Sequence, residues 1–592
     1  MKKLVYIMAG LALTLASCED MLDSTNYTQK TTATFPESVT DANQMLTGVY
    51  QTLNQVHANP QMSFFYYSIL ASDNNLGGGG MNDKLMQAED LLLNYQSDMT
   101  RQFWKDRYTG IFRANNLIAT LGNCKGITED VYNQIMGEAL FLRAFFYYEL
   151  TSMYGNVPLL VSTDASDLPG ASAAEMFGQI LLDLKTAADI MPAVAQKGSG
   201  HVDKYCAEAL LGRAFLYYTG MYCNGESIAD LTSTNYNPLT SVVLADGSTL
   251  TKEQVASYID DCVDNSGYSL VPDYRNLWAY TNRCTVEDGE YTKGQGLKWV
   301  EDDNGSNPEA MFMVKFNKLA DWQTTIGYAN GYSLHFGIRG GQGYGDTFPF
   351  GQGWGAGPVA PNFVNDWKAA EPNDMRLEAS VQDLNKLPNH AKGAAGWADF
   401  AQETDYYGKK LSPVSCKNDG SLADITDEYL ACFENVMYGA DNWIQGANNM
   451  QLNNIHDHVL IRFAEVLLMQ SELKGNAEGM NKVRARAGLP AKEYSVENIR
   501  NERRWELSFE GVRWNDIRRF HIAAAALEKQ TGVPIYTSGA PDTNKKQGVG
   551  YTARYNATAG FAKIPESQVS LSKVLEQAAG YDGADSEYNG WQ

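Results

Sequence analysis

Cationic side chains are scarce in this chain of 592 residues. Lysine and arginine number 47 against 70 aspartates and glutamates, for a formal charge of −23. Such a balance argues against a nucleic-acid partner, whose phosphates require clustered cations. Long apolar runs are missing as well. The run from Leu4 to Leu15 spans about a dozen residues, where a membrane-crossing helix needs roughly 20. Catalytic signatures are equally thin. There is no nucleophile elbow and no HExxH, and the glycines from Gly77 to Gly80 are not followed by the Gly-Lys-Ser/Thr of a phosphate loop. The eight cysteines form no close CxxC pair. Neither a zinc site nor a disulfide framework is indicated. Cys124, Cys206, Cys223, Cys262, Cys284, Cys416 and Cys432 read mostly as small buried hydrophobes.

What is present begins at the N-terminus. Lys2 and Lys3 precede the short apolar run, which ends in Leu15-Ala16-Ser17-Cys18. Small residues just before a cysteine resemble the bacterial lipobox. Residues 1–17 are then expected to be removed as a signal peptide, leaving Cys18 as an acylated first residue. Two or more acyl chains anchor stably where one does not. Glu19 and Asp20 follow, an acidic pair that resembles the export signal of surface lipoproteins in Bacteroidetes.

Two segments seventy residues apart are alike. The residues from Glu138 to Tyr148 and from Glu208 to Tyr218 agree at eight of eleven positions. A recurring helix that sets small residues beside aromatics is how tetratricopeptide-like hairpins stack. Ile135, Ala139, Leu142, Phe146, Leu150 and Met153 share one face at helical spacing. Thr128 with Glu129 and Asp130 marks the start of that helix, and Gly155 and Pro158 its end. Further helices are predicted near 38–56, 98–121 and 172–191. A late helical block covers about 458–520, with Ser495 as N-cap of a helix running from Val496 to Phe509.

Between these blocks, residues 226–450 are rich in Gly, Asn, Asp and Tyr and show little helical periodicity. Eleven of the 31 residues from Gly327 to Gly357 are glycine, and Trp322, Tyr328, Tyr332, Phe336, Tyr344, Phe348, Phe350 and Trp354 lie in or beside that stretch. A long loop of this kind is functional or disordered, and so many aromatics speak against disorder.

Across nearly the whole mature chain the sequence resembles the SusD/RagB-like outer-membrane lipoproteins. The resemblance lies in Gln102-Phe103-Trp104-Lys105-Asp106-Arg107-Tyr108 with Asn115-Asn116, and in Glu138 to Tyr148 continued by Tyr154-Gly155-Asn156-Val157-Pro158. It continues in Ile461 to Leu467, in Asn481 to Gly488, in Glu502 to Leu507 with Glu510 to Arg519, and in Ile564-Pro565-Glu566-Ser567 with Gln577 and Gly580-Tyr581. It implies a mostly α, tetratricopeptide-like helical-repeat scaffold carrying an irregular, loop-rich binding region. It also implies residence as a surface-exposed lid on a SusC-like TonB-dependent barrel of the outer membrane, with no cofactor. Most such proteins bind glycans, and some serve peptide uptake. The expected parts are the signal peptide 1–17, an N-terminal helical part 18–225, a ligand-binding region 226–450 and a C-terminal helical part 451–592.

Candidate chemistry divides accordingly. Glu502 and Glu506, at i and i+4 beside Arg503, Arg504 and Arg513, could suggest the paired carboxylates of a glycoside hydrolase. Arg–Glu pairs at helical spacing more readily hold helices together. Asp302-Asp303-Asn304-Gly305-Ser306-Asn307 lacks EF-hand spacing and reads as a turn. His456-Asp457-His458 has no third metal ligand in view. The aromatic–glycine stretch is the better candidate, since sugar rings stack on exposed aromatics while Asp and Asn bond hydroxyls. The expected ligand contacts are Trp322, Tyr328, Tyr332, Tyr344 and Trp354. By family position, Asp73, Asn74 and Asn75 join them. The function expected is oligosaccharide capture without catalysis, with peptide capture and surface glycoside hydrolysis as rivals.

Overall fold

The computed structural model describes residues 35–58, 60–80, 83–90, 98–164, 166–302, 305–316, 330–339, 346–351, 353–390, 400–417, 429–431, 454–545 and 549–581. Its N-terminal part is a stack of helices. α1 (Val39–Ala58) and the short α2 (Phe64–Leu70) lead to α3 (Arg101–Thr120), α4 (Glu129–Tyr154), α5 (Ala173–Ile190), α6 (Lys204–Met221) and α7 (Lys252–Asn265). α1 packs on α3, and from α3 onward each helix packs on the next. Side chains mark where these helices begin. Ser172 with Glu175 and Thr251 with Gln254 form reciprocal capping boxes, and the Asp203 carboxylate accepts from the Cys206 amide at 2.8 Å. α4 stops at Gly155, whose φ of 78° a side chain would resist.

The alike segments fall on α4 and α6, and their matching arginines do matching work. Arg143 grips Asp183 of α5 at 2.7 Å, and Arg213 grips Glu465 in the C-terminal part. Gly212 stands where α4 has Leu142. A Cβ there would come within 2.7 Å of Ile259 Cδ1, so the glycine lets α6 and α7 approach closely.

Strand β1 (Ala310–Val314) leads out of the stack into the irregular part. Within it lie α8 (Gly331–Phe336), α9 (Pro361–Ala370), α10 (Met375–Ser380), and the paired strands β2 (Val381–Asp383) and β3 (Tyr406–Gly408). β4 (His458–Arg462) leads back. It runs antiparallel to β1, with Ala310 opposite Arg462 and Val314 opposite His458. The excursion therefore leaves and returns at the same place.

α11 (Phe463–Lys474), α12 (Glu478–Arg486), α13 (Val496–Glu506) and α14 (Arg513–Arg519) follow. α11 packs on α7 and α6 and completes the stack; α14 packs on α6 and α2. The fold is mostly α with two-stranded sheets only among the described residues. α7 falls inside the 226–450 stretch, yet it belongs to the scaffold: Val255, Ile259 and Cys262 are buried on it, and it packs on α6 and α11. Ser495 caps α13, accepting from the Asn498 amide at 3.0 Å. That helix stops at Glu506, short of Phe509, which sits at a φ of 63° that no right-handed helix accommodates. Among the described residues no helix is long and apolar enough to cross a membrane.

Candidate ligand-binding cleft

A cleft of about 860 Å³ opens in the irregular part. Its walls come from the segment around Tyr291, from Phe348 to Phe350, from α9 and α10, and from the β2–β3 pair. Tyr406 is placed by β3, opposite Asp383 of β2. Tyr291, Phe348 and Tyr406 are half-buried, so each ring is held by the protein yet reachable from the cleft. Lys368 Nζ lies 5.7 Å from the Tyr406 ring centre, and Lys409 Nζ 4.0 Å from that of Tyr291. Lys409 is buried and donates to the Glu378 carbonyl at 2.7 Å; burial drives its ammonium down to about 7. Glu378 and Lys386 pair at 2.8 Å on the exposed rim, and Asp288, Glu290 and Asp383 add further acceptors. Half-buried rings beside a few polar groups suit a ligand with apolar faces and many hydroxyls.

The cleft wall is clamped to the scaffold by a buried ion network. Arg376 of α10 holds Asp374 at 2.7 Å and reaches Glu502 at 2.7 Å and Glu506 at 2.8 Å on α13. Arg484 also takes Glu502, at 2.8 Å, and Glu371 at 2.8 Å. Arg462 takes Glu506 at 2.5 Å, Glu309 at 2.7 Å and Glu510 at 2.6 Å, while Arg486 joins Glu309 and Glu506. Burial alone would raise the Glu506 carboxyl. Arg486, Arg462 and Arg376 override that and hold it well below the usual carboxylate range. A carboxylate so fully engaged is a structural ion, not a general acid. Among the described residues no group of three His, Cys, Asp or Glu side chains is arranged for a metal.

The expected ligand contacts land in several places. Trp322, Tyr328, Tyr344 and Cys18 lie outside the described residues. Tyr332 on α8 is completely buried, its hydroxyl 2.8 Å from both His57 Nδ1 and Ser63 Oγ. In this state the ring packs in the core. Trp354 is half-buried with its ring 4.7 Å from that of His335. Asp73, Asn74 and Asn75 are buried under the excursion. Asp73 pairs with Arg513 at 2.7 Å and Arg504 at 2.9 Å, Asn74 Oδ1 accepts from Arg504 at 3.0 Å, and Asn75 Nδ2 donates to the Gly357 carbonyl at 2.7 Å. These three stitch the 355–360 turn to α13 and α14 and do not line the cleft. The aromatic–glycine stretch reaches the cleft through Phe348 and Phe350 instead. Tyr291 and Tyr406 were not distinguishable among the many tyrosines of 226–450. Only strand pairing and the fold of 280–292 bring them together.

Models of the SusD family match both the N-terminal helical part and the stretch from 326 onward, and the chain belongs to the SusD/RagB-like family. The family model described as "Starch-binding associating with outer membrane" matches residues 20–216, and that of the SusD family matches residues 326–581. SusD-like protein P2 of Formosa agariphila is 23% identical over 549 residues, covering 88% of this chain and 91% of its own. A solved laminarin binding SusD-like protein superposes with a TM-score of 0.63 at 23% identity, over 92% of this chain and 100% of that one. Surface glycan-binding protein A from Bacteroides thetaiotaomicron, solved with laminarihexaose, has a TM-score of 0.63 at 18% identity, over 91% and 98%.

Proposed function

We propose that the protein captures an oligosaccharide in the cleft between Tyr291, Phe348 and Tyr406, without cleaving it. It then passes the chain to a SusC-like TonB-dependent barrel. In this reading acyl chains on Cys18 hold it on the outer face of the outer membrane. The observation that carries the reading is the set of half-buried rings flanked by Lys368, Glu378, Asp383 and Lys386 in one open cleft. Sugar C–H faces stack on such rings while the charged rim bonds hydroxyls. The relatives named for laminarin and laminarihexaose support the ligand class. Saturation of Glu502 and Glu506 by arginines supports binding without hydrolysis. Calorimetric titration of the soluble form, starting at Glu19, against laminarihexaose, other defined glycans and peptides tests the proposal. Binding confined to glycans and weakened by Tyr406→Ala is expected; binding of peptides alone would overturn it.

A further inference from the structure

Four of the seven histidines gather where the excursion meets the scaffold. His57 closes α1, His335 sits on α8, and His456 and His458 lead into and open β4; all are buried. Two rings contact each other and Tyr332. The His458 ring stacks on Tyr332 at 4.4 Å, lies 5.3 Å from His57, and meets the edge of Phe65 of α2 at 4.3 Å. His57 Nδ1 and Ser63 Oγ both hold the Tyr332 hydroxyl at 2.8 Å. His456 Nε2 lies 3.1 Å from Ser333 Oγ, and its carbonyl accepts from Asn330 at 3.2 Å. His335 packs against Trp354 and Tyr66. The cluster is thus the seam between α1 and α2 on one side and α8 and β4 on the other.

The seam accommodates neutral rings. His57 Nε2, His458 Nε2 and His335 Nδ1 are buried without a hydrogen-bond partner. A neutral imidazole tolerates one bare nitrogen, whereas an imidazolium carries two N–H donors that both need acceptors. Two imidazoliums at the His57–His458 separation would also repel. We propose that this cluster is a proton-sensitive latch, which holds α8 and the foot of β4 on α1 and α2 at neutral pH and releases them in mild acid.

The surrounding charges act in both directions. Burial lowers all four histidines, His456 to about 4 and His335 and His458 to about 3; His458 and Arg107 lower His57 further, and His456 lowers His458. Arg107 of α3 is paired with Glu149 of α4 at 2.6 Å. Glu301, Asp457, Lys410, Arg462 and Glu510 line the cavity shared with His456 and His458, and Lys315 holds Asp457 at 2.7 Å. Glu89 and Asp83 act on Tyr66 beside His335. Burial raises the Glu89, Glu301 and Asp457 carboxyls, so these three oppose the histidines. A histidine lowered in the closed state binds a proton only after opening. The latch is therefore at full strength above about pH 6.5 and weakens as pH falls below it. Between pH 7 and pH 5 each histidine released raises the opening constant about twentyfold, and each raised carboxyl released with it lowers that constant.

The latch rests on the capture reading only for its consequence, loss of ligand. Hydrogen exchange on the mature protein, corrected for intrinsic rates, tests it without any ligand. Peptides covering 330–336 and 454–458 should lose about twentyfold or more of their protection from pH 7 to pH 5, while α6 keeps its own. His458→Phe preserves the ring packing without a titrating nitrogen, and His57→Gln keeps a partner for the Tyr332 hydroxyl; either should shrink the response. Protection that persists to pH 5, opening only together with α6, or an unchanged response in both variants overturns the latch. Laminarihexaose titrations at the same two pH values separate the readings. Opening in acid with no binding at pH 7 sinks the laminarin-type capture and leaves the latch. Binding that survives opening sinks the link between them.

Discussion

Arg376 and Glu506 meet at 2.8 Å with both side chains wholly withdrawn from water. One belongs to the cleft wall and the other to the scaffold, so the pair carries the position of the cleft. Glu506→Gln would leave Arg376, Arg462 and Arg486 sharing too few anions. Removing one partner of a buried ion cluster costs about 3–5 kcal/mol, and urea unfolding should show a loss of that size. The pH dependence should change with it. Because the Glu506 carboxyl is held low, its contribution is complete above the ordinary glutamate value and disappears as pH falls through the folded one. The variant should therefore lose less stability than the parent on acidification below about pH 4.3.

Alanine at Tyr291 and at Tyr406 separates ligand contact from packing. Losing a stacked ring from a binding hot spot costs about 2 kcal/mol or more, which weakens affinity more than tenfold. The thermal midpoint should move little, since both rings are only half-buried. Tyr332→Ala should behave oppositely, costing about 3–5 kcal/mol of stability as a core aromatic does. Calorimetry and thermal melts on the same three proteins decide the matter. The same pair of measurements on alanine variants of Trp322, Tyr328, Tyr344 and Trp354 shows whether these add to the platform.

Gly212→Ala should strain the α6–α7 contact. The new methyl would stand 2.7 Å from Ile259 Cδ1, an overpacking that costs about 1–3 kcal/mol. Denaturant midpoints give the loss directly. Ile259→Val should partly restore stability in the double variant, because it removes the atom that collides.

Cys18→Ala should release the protein from the membrane fraction or stall its processing. Fractionation with palmitate labelling checks this, and a variant that labels and partitions like the parent would contradict it.

The helices were legible because their starts are written locally. Ser495 is three residues from the amide it caps, and the Glu138 and Glu208 segments repeat openly. The cleft was not legible, for two physical reasons. Tyr406 faces it only because β3 pairs with β2, and nothing local to Tyr406 announces that pairing. Asp73 has the composition of a binding loop, but its carboxylate is consumed by Arg513, 440 positions away. Helical spacing alone suggests that Glu502 and Glu506 pair with arginines, but nothing local to them shows that Arg376 comes from the cleft wall.

Val314 and His458 lie opposite each other at the foot of the excursion. A chain segment whose two ends are already joined makes almost no demand on its host through its length, since each doubling of a loop adds only about 0.6 kcal/mol of closure entropy. Changes of length between Val314 and His458 are accordingly tolerable where they spare the contacts that Arg376, Gly357 and Tyr332 make with the scaffold. The architecture is a socket whose long insert can grow or shrink at its tips without reopening the helical stack beneath it.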